Sequence, residues 1–137
     1  MLLKGAPSQP EIDAGCGFAG PAGKAMIAAF DALGISPLHL YGTNALKCRG
    51  GALDKCLRHL ESELLAISPS VILAMGSLAT EAASKALEQI DLPQASPSAH
   101  PPRPTLFKVS LDPYDALGNP QSKRALWHEL RVIVTQL

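Results

Sequence analysis

The sequence has no excess of charge of either sign: 12 Lys and Arg are matched by 12 Asp and Glu, a formal net charge of +0. No global field therefore draws the chain to polyanions, and any grip on nucleic acid has to come from a local basic patch. Long apolar runs are also missing, none reaching the roughly 20 residues that a membrane-spanning helix needs. The opening stretch, "MLLKGAPSQP", contains nothing like the apolar region of a secretory signal, so a cytoplasmic chain with no membrane association is expected. Cysteine is scarce. Cys16, Cys48 and Cys56 are an odd number without an export signal, which points to free thiols or the remains of a metal site and away from a disulfide framework. No internal repeat is visible. What is present is apolar: 47% hydrophobic against 18% charged residues excludes a disordered chain. The length, 137 residues, suits one domain with a substantial core, spanning 1–137, and is too short for two ordinary ones.

Four short apolar runs read as strands: "MLLK" at the start, "LHLYG" at 38–42, "SVILAM" at 70–75 and "TLFKVSL" at 105–111. Helix-period segments separate them. "GKAMIAAFDALGI" sets Met26, Ile27, Phe30 and Leu33 on one face and stops at Gly34, and "LDKCLRHLESELLAI" repeats Leu57, Leu60 and Leu64. A third helix, "GSLATEAASKALEQI", has Ser77 and Thr80 as candidate caps, and a fourth, "SKRALWHELRVIVTQL", would bury Leu126, Trp127, Leu130 and Ile133. Strand and helix alternating in this way predict a three-layer α/β/α sandwich around a central parallel sheet of about four strands. A ligand site then belongs at the carboxyl ends of the strands, at "GAPS", "GTN", "MGS" and "LDP". The proline-rich stretch 92–104, "LPQASPSAHPPRP", reads as a loop.

One strand end stands out. In "LYGTNALKCRG" an apolar strand breaks at a glycine, presents Thr43 and Asn44, and runs into Lys47, Cys48 and Arg49. Taken alone, Asn44 is a helix cap or a turn residue, and Phe18 in "GCGFAGPAGKAM" is a core aromatic.

Taken together with "PSVILAMGSLA" and "LDPYDALGNPQSKRALWHEL", in this order, the two segments resemble the uracil-DNA glycosylase superfamily, closest to its iron–sulfur family 4 type. The similarity covers nearly the whole chain. Gly15, Phe18, Gly20, Ala22 and Gly23 fit that family's Gly-x-x-Phe-x-Gly-x-Ala-Gly element, and Thr43, Asn44, Lys47, Cys48 and Arg49 fit its Thr-Asn-x-x-Lys-Cys-Arg element. The resemblance implies a pocket that receives a flipped base, with Asn44 reading the uracil edge, Phe18 stacking on its face and Ala6 beside it. A carboxamide accepts from uracil N3–H and donates to O4, a pairing that cytosine does not satisfy. Lys47, Arg49 and Ser77 are the implied contacts to the DNA backbone, with Lys55 and Arg58 as further candidates; the plainer reading of these cations is a solvated surface.

Three departures from the family pattern fall on function. Gly5 stands where the family has its water-activating glutamate; Glu11 and Asp13 follow, and are expected to be solvated loop acids. Asp112-Pro113 stands where the family has His-Pro, and an aspartate repels the uracil anion that the histidine would stabilise. His100, in "PSAHPPRP", is a second candidate for that role although it comes about a strand early. Cys48 and Cys56 match the last two of four cluster cysteines and the first pair has no counterpart, so the iron–sulfur cluster is expected to be lost, leaving no cofactor.

The resulting expectation is a monomer that binds or inspects deaminated bases in DNA, single-stranded or uracil-containing, with weak or absent N-glycosidic hydrolysis. Gly5, Phe18, Asn44 and Asp112 are expected to converge on one pocket. The alternatives are a working glycosylase that uses Glu11 or Asp13 and His100, and an interaction module that keeps the fold without DNA.

Overall fold

The computed structural model describes residues 1–90 and 105–137. A four-stranded, wholly parallel sheet is formed by β1 (Leu2–Lys4), β2 (Gly42–Asn44), β3 (Val71–Met75) and β4 (Thr105–Val109), in the order β2-β1-β3-β4. Short strands that are buried on both faces need continuous apolar sequence, which "LLK" and "VILAM" supply. Alternation along them divides the core in two. Leu3, Ile72 and Ala74 face one side, where α3 (Leu53–Ile67) and α4 (Ser77–Gln89) bring Leu57, Leu60, Leu64, Ala79, Ala82, Ala83 and Ala86. Leu2, Leu73, Met75 and Val109 face the other, covered by α2 (Gly20–Ala32), α5 (Pro113–Ala116) and α6 (Pro120–Val134) through Met26, Phe30, Ala116, Leu126 and Leu130. The alanine row of α4 lets that helix approach the sheet closely. The expected α/β/α sandwich is therefore the fold.

Several expected details are corrected. The second strand is Gly42–Asn44 and not 38–42: Pro37 opens a 3-10 turn over Pro37–His39, capped by Ser36 Oγ on the Leu38 amide, and Leu38 is left in solvent. The last strand ends at Val109, short of 111. A helix absent from the sequence reading, α1 (Gln9–Ala14), occupies the segment read as loop; Ser8 and Glu11 close it with a reciprocal capping box. Ile27 and Trp127 lie on the outer rims of their helices, more than a third exposed. Ser77 and Thr80 are not caps, because Gly76 is the N-cap of α4 and the Thr80 hydroxyl donates back to the Gly76 carbonyl at 2.9 Å.

Candidate active site

The parallel register brings Lys4 beside Asn44 on one side and Met75 on the other, so all the motif-bearing loops leave the sheet at one end. The Ala45 amide donates to the Lys4 carbonyl (2.8 Å) and the Leu46 amide to that of Gly5 (3.0 Å), which locks the two loops together just past the strands. Two adjoining cavities open there. The first, about 570 Å³, is lined by Glu11, Gly17, Gly42, Thr43, Asn44, Lys47, Cys48 and Arg49 among others. The second, about 460 Å³, is lined by Lys4, Gly5, Ala6, Ser77, Asp112 and Tyr114 among others. Pro7 and Arg49 belong to both walls. A larger hollow of about 880 Å³ runs between α4 and α6 along β4, away from Asn44 and Gly5.

Asn44 is buried at the end of β2, and its carboxamide Oδ1 has no hydrogen-bond partner. It is not a helix cap: α3 begins at Leu53 with Ala52 as its N-cap. A buried acceptor without a donor costs about 1–3 kcal/mol, an expense that folds rarely retain without use.

Phe18 does not line either cavity. Its ring belongs to the core with Leu2, Met26 and Phe30, directly beneath Gly42, where a Cβ would come within 2.5 Å of Cδ2. The expected single pocket is thus replaced by two neighbours, with Asn44 in one, Gly5 and Asp112 in the other, and Phe18 behind the wall of the first. Phe18 also has a left-handed backbone (φ 61), an unfavourable state for an aromatic residue. Glu11 holds it there: Oε1 accepts from the Phe18 amide at 2.6 Å, while Oε2 accepts from the Ser8 amide and hydroxyl at 2.7 Å each and pairs with Lys4 Nζ at 2.8 Å.

Glu11 is consequently no solvated acid. Burial alone would raise its pKa, but Lys4, Ser8 and the Phe18 amide together outweigh that and hold the carboxyl below its ordinary value. A carboxylate engaged by that many donors, and acidified by them, is unsuited to take a proton from water. Asp13 is exposed and accepts from Gln9 Nε2 at 2.7 Å, as expected of a surface acid.

Gly5 is buried and contributes only its backbone; its amide points to Asp112 Oδ2 at 3.4 Å. Asp112 Oδ1 accepts from the Tyr114 amide at 2.9 Å, so the aspartate caps α5. Ala6 is exposed, and its carbonyl accepts from Lys4 Nζ at 2.6 Å. Ser77 opens α4 at the rim of the second cavity. His100 lies outside the described residues.

The cations divide. Lys47 is committed to Glu63 (2.7 Å) and to the Thr43 hydroxyl (2.8 Å), and burial together with the Glu63 charge pushes the adjacent Tyr41 phenol up. Arg49 is exposed, donating through Nη1 to Gln9 Oε1 at 3.0 Å, and Lys55 and Arg58 are exposed on α3. Arg49 is therefore the cation best placed at the cleft. Sequence reasoning missed Lys4, Glu63 and Tyr114. A lysine ending an apolar strand, "MLLK", and the Ser8-x-x-Glu11 spacing were the available signals for the first cluster; nothing local marks Glu63 as the partner of Lys47.

A comparison with protein families matches residues 1–131 to the uracil DNA glycosylase superfamily. The chain belongs to this superfamily. Its members act on DNA, and membership supports a uracil-DNA glycosylase-like function with DNA as the partner. A search of curated proteins returns no match. The iron–sulfur cluster of the family 4 type does not fit the donor set. The chain carries three cysteines where four thiolates are needed, and among the described residues no group of three or more His, Cys, Asp or Glu side chains is arranged to hold a metal ion. No step is assigned to it.

Proposed function

We propose that the protein binds deaminated bases in DNA at the Asn44 cavity and hydrolyses the N-glycosidic bond weakly or not at all. The observation that carries this reading is the unpaired, buried Oδ1 of Asn44 at the wall of that cavity. Uracil N3–H is a donor that would satisfy it, while cytosine offers a second acceptor at N3 and would leave the cost in place. The base has to leave the helical stack to reach this depth, which favours single-stranded or mismatched substrate. Arg49, exposed at the boundary of both cavities, supplies positive charge at the cleft of a chain with no net charge.

The same geometry supports the reading of weak hydrolysis. Gly5 offers no carboxylate, Glu11 is fully engaged, and the group beside Gly5 is the Asp112 carboxylate, whose negative charge opposes the anion that forms as uracil departs. Binding reads the ground state of the base and survives this loss better than hydrolysis does. The test is binding of single-stranded oligonucleotides containing uracil or cytosine, alongside release of free uracil. Wild type is expected to prefer uracil and to release little of it, and Asn44→Ala to lose about tenfold in uracil affinity with cytosine unaffected, the ~1.4 kcal/mol of one hydrogen bond. Equal affinity for the two bases, unchanged in Asn44→Ala, would overturn the base-reading role; rapid uracil release by wild type would overturn the weak catalysis.

A further inference from the structure

The loop between β2 and α3 carries Cys48, and the first turns of α3 carry Cys56. Gly51 lies between them. A Cβ on Gly51 would sit 3.0 Å from Cys48 Sγ and 3.5 Å from Cys56 Sγ, so both sulfurs border the same small volume beside Gly51. Cys48 is exposed, whereas Cys56 is buried and takes the Lys47 amide at 3.5 Å. The Gly51 amide donates to the Cys48 carbonyl at 3.2 Å, folding the loop into a tight turn between the two cysteines. An accessible thiol ahead of a sheltered one is the arrangement of an attacking and a resolving cysteine.

We propose that Cys48 and Cys56 form a reversible disulfide, a redox modification site at the rim of the Asn44 cavity. The chemistry balances with a low-molecular-weight disulfide as oxidant. The Cys48 sulfur, giving up its proton, attacks one sulfur of that reagent and expels one thiol, leaving a mixed disulfide on Cys48. The Cys56 sulfur then attacks Cys48 Sγ, the second small thiol leaves with the remaining proton, and two protein thiols have been oxidised as one disulfide is reduced to two thiols. The bond closes the loop that carries Arg49 into the cleft, so it acts on the segment that borders both cavities. Cys16 lines the same cavity as Cys48 but from the opposite loop, and takes no part.

The test uses the full chain, equilibrated with oxidised glutathione, acid-quenched, alkylated and read by intact mass and peptide mapping. Wild type is expected to lose the mass of two hydrogen atoms, to yield a linked Cys48–Cys56 peptide with Cys16 alkylated, and to recover fully on addition of reduced glutathione. Cys56→Ser is expected to stop at a glutathione adduct on Cys48, and Cys48→Ser to leave Cys56 free; Cys16→Ser should behave as wild type. Cys48→Ser changes an exposed side chain, so its outcome does not depend on refolding a core. A wild-type protein that stays as the Cys48 adduct, or that links Cys16 to either partner, would overturn the proposal. The outcome is independent of whether the cavity binds a base, because thiol pairing is read without DNA.

Discussion

Lys4 Nζ and Glu11 Oε2 lie 2.8 Å apart, with side-chain exposures of 4% and 2%, at the junction of the two cavities. The pair joins the end of β1 to α1, and through the Phe18 amide it also fixes the loop behind the Asn44 cavity. Removing one member leaves the other charged and unpaired away from water, which typically costs about 3–5 kcal/mol. Glu11→Ala is expected to lose that much stability in a urea titration, and Lys4→Met a comparable amount. A change under about 1 kcal/mol in both would show that water reaches the pair.

The same carboxylate sets a pH dependence. Its folded pKa lies below its ordinary value of 4.5, so its contribution is complete above that value and is lost as the pH falls through the folded one. Wild type should therefore lose stability on acidification below about pH 4.5, and Glu11→Gln, which cannot titrate there, should show a flatter profile over the same window. Parallel profiles for the two proteins would contradict this account.

Gly23 lies in the first turn of α2, and a Cβ there would overlap the Phe18 carbonyl oxygen, a backbone atom that cannot swing aside. Gly23→Ala is expected to destabilise by more than about 3 kcal/mol or to prevent folding, since relief requires moving the Phe18 backbone that Glu11 holds. Gly118→Ala, where a Cβ meets nothing within 4 Å, is the matched control and should change the melting temperature little.

The proposal of weak hydrolysis predicts that uracil release rises only when both family groups are supplied. At Gly5 the first atom of a side chain fits, its Cβ 3.4 Å from Leu78 Cβ and Cδ2, so Gly5→Glu starts without a backbone clash. Asp112→His removes the opposing charge and costs the α5 cap about 1 kcal/mol. Each group is worth on the order of 2–4 kcal/mol in one shared transition state, so the double variant should release uracil faster than the product of the two single effects. Additive or null gains in uracil release would place the missing chemistry elsewhere.

The fold class and the identity of the strand ends were legible in the order of the residues. Apolar runs such as "VILAM" and helix-period leucines at 57, 60 and 64 are properties of neighbouring residues, and alternation of strand and helix leaves few ways to bury them. That order placed Asn44, Lys47, Arg49, Gly5 and Asp112 at one end of the sheet for the same reason. What those side chains touch emerged with the three-dimensional packing. Glu11 read as solvated because its segment read as a loop, yet β1 delivers Lys4 and the turn after α1 delivers the Phe18 amide; Lys47 read as a free cation because Glu63 is a helix away; Phe18 turned inward because Gly42, at the start of β2, leaves room for its ring. Charge pairing and side-chain direction depend on residues distant in sequence, and a one-dimensional pattern holds no record of which of them meet.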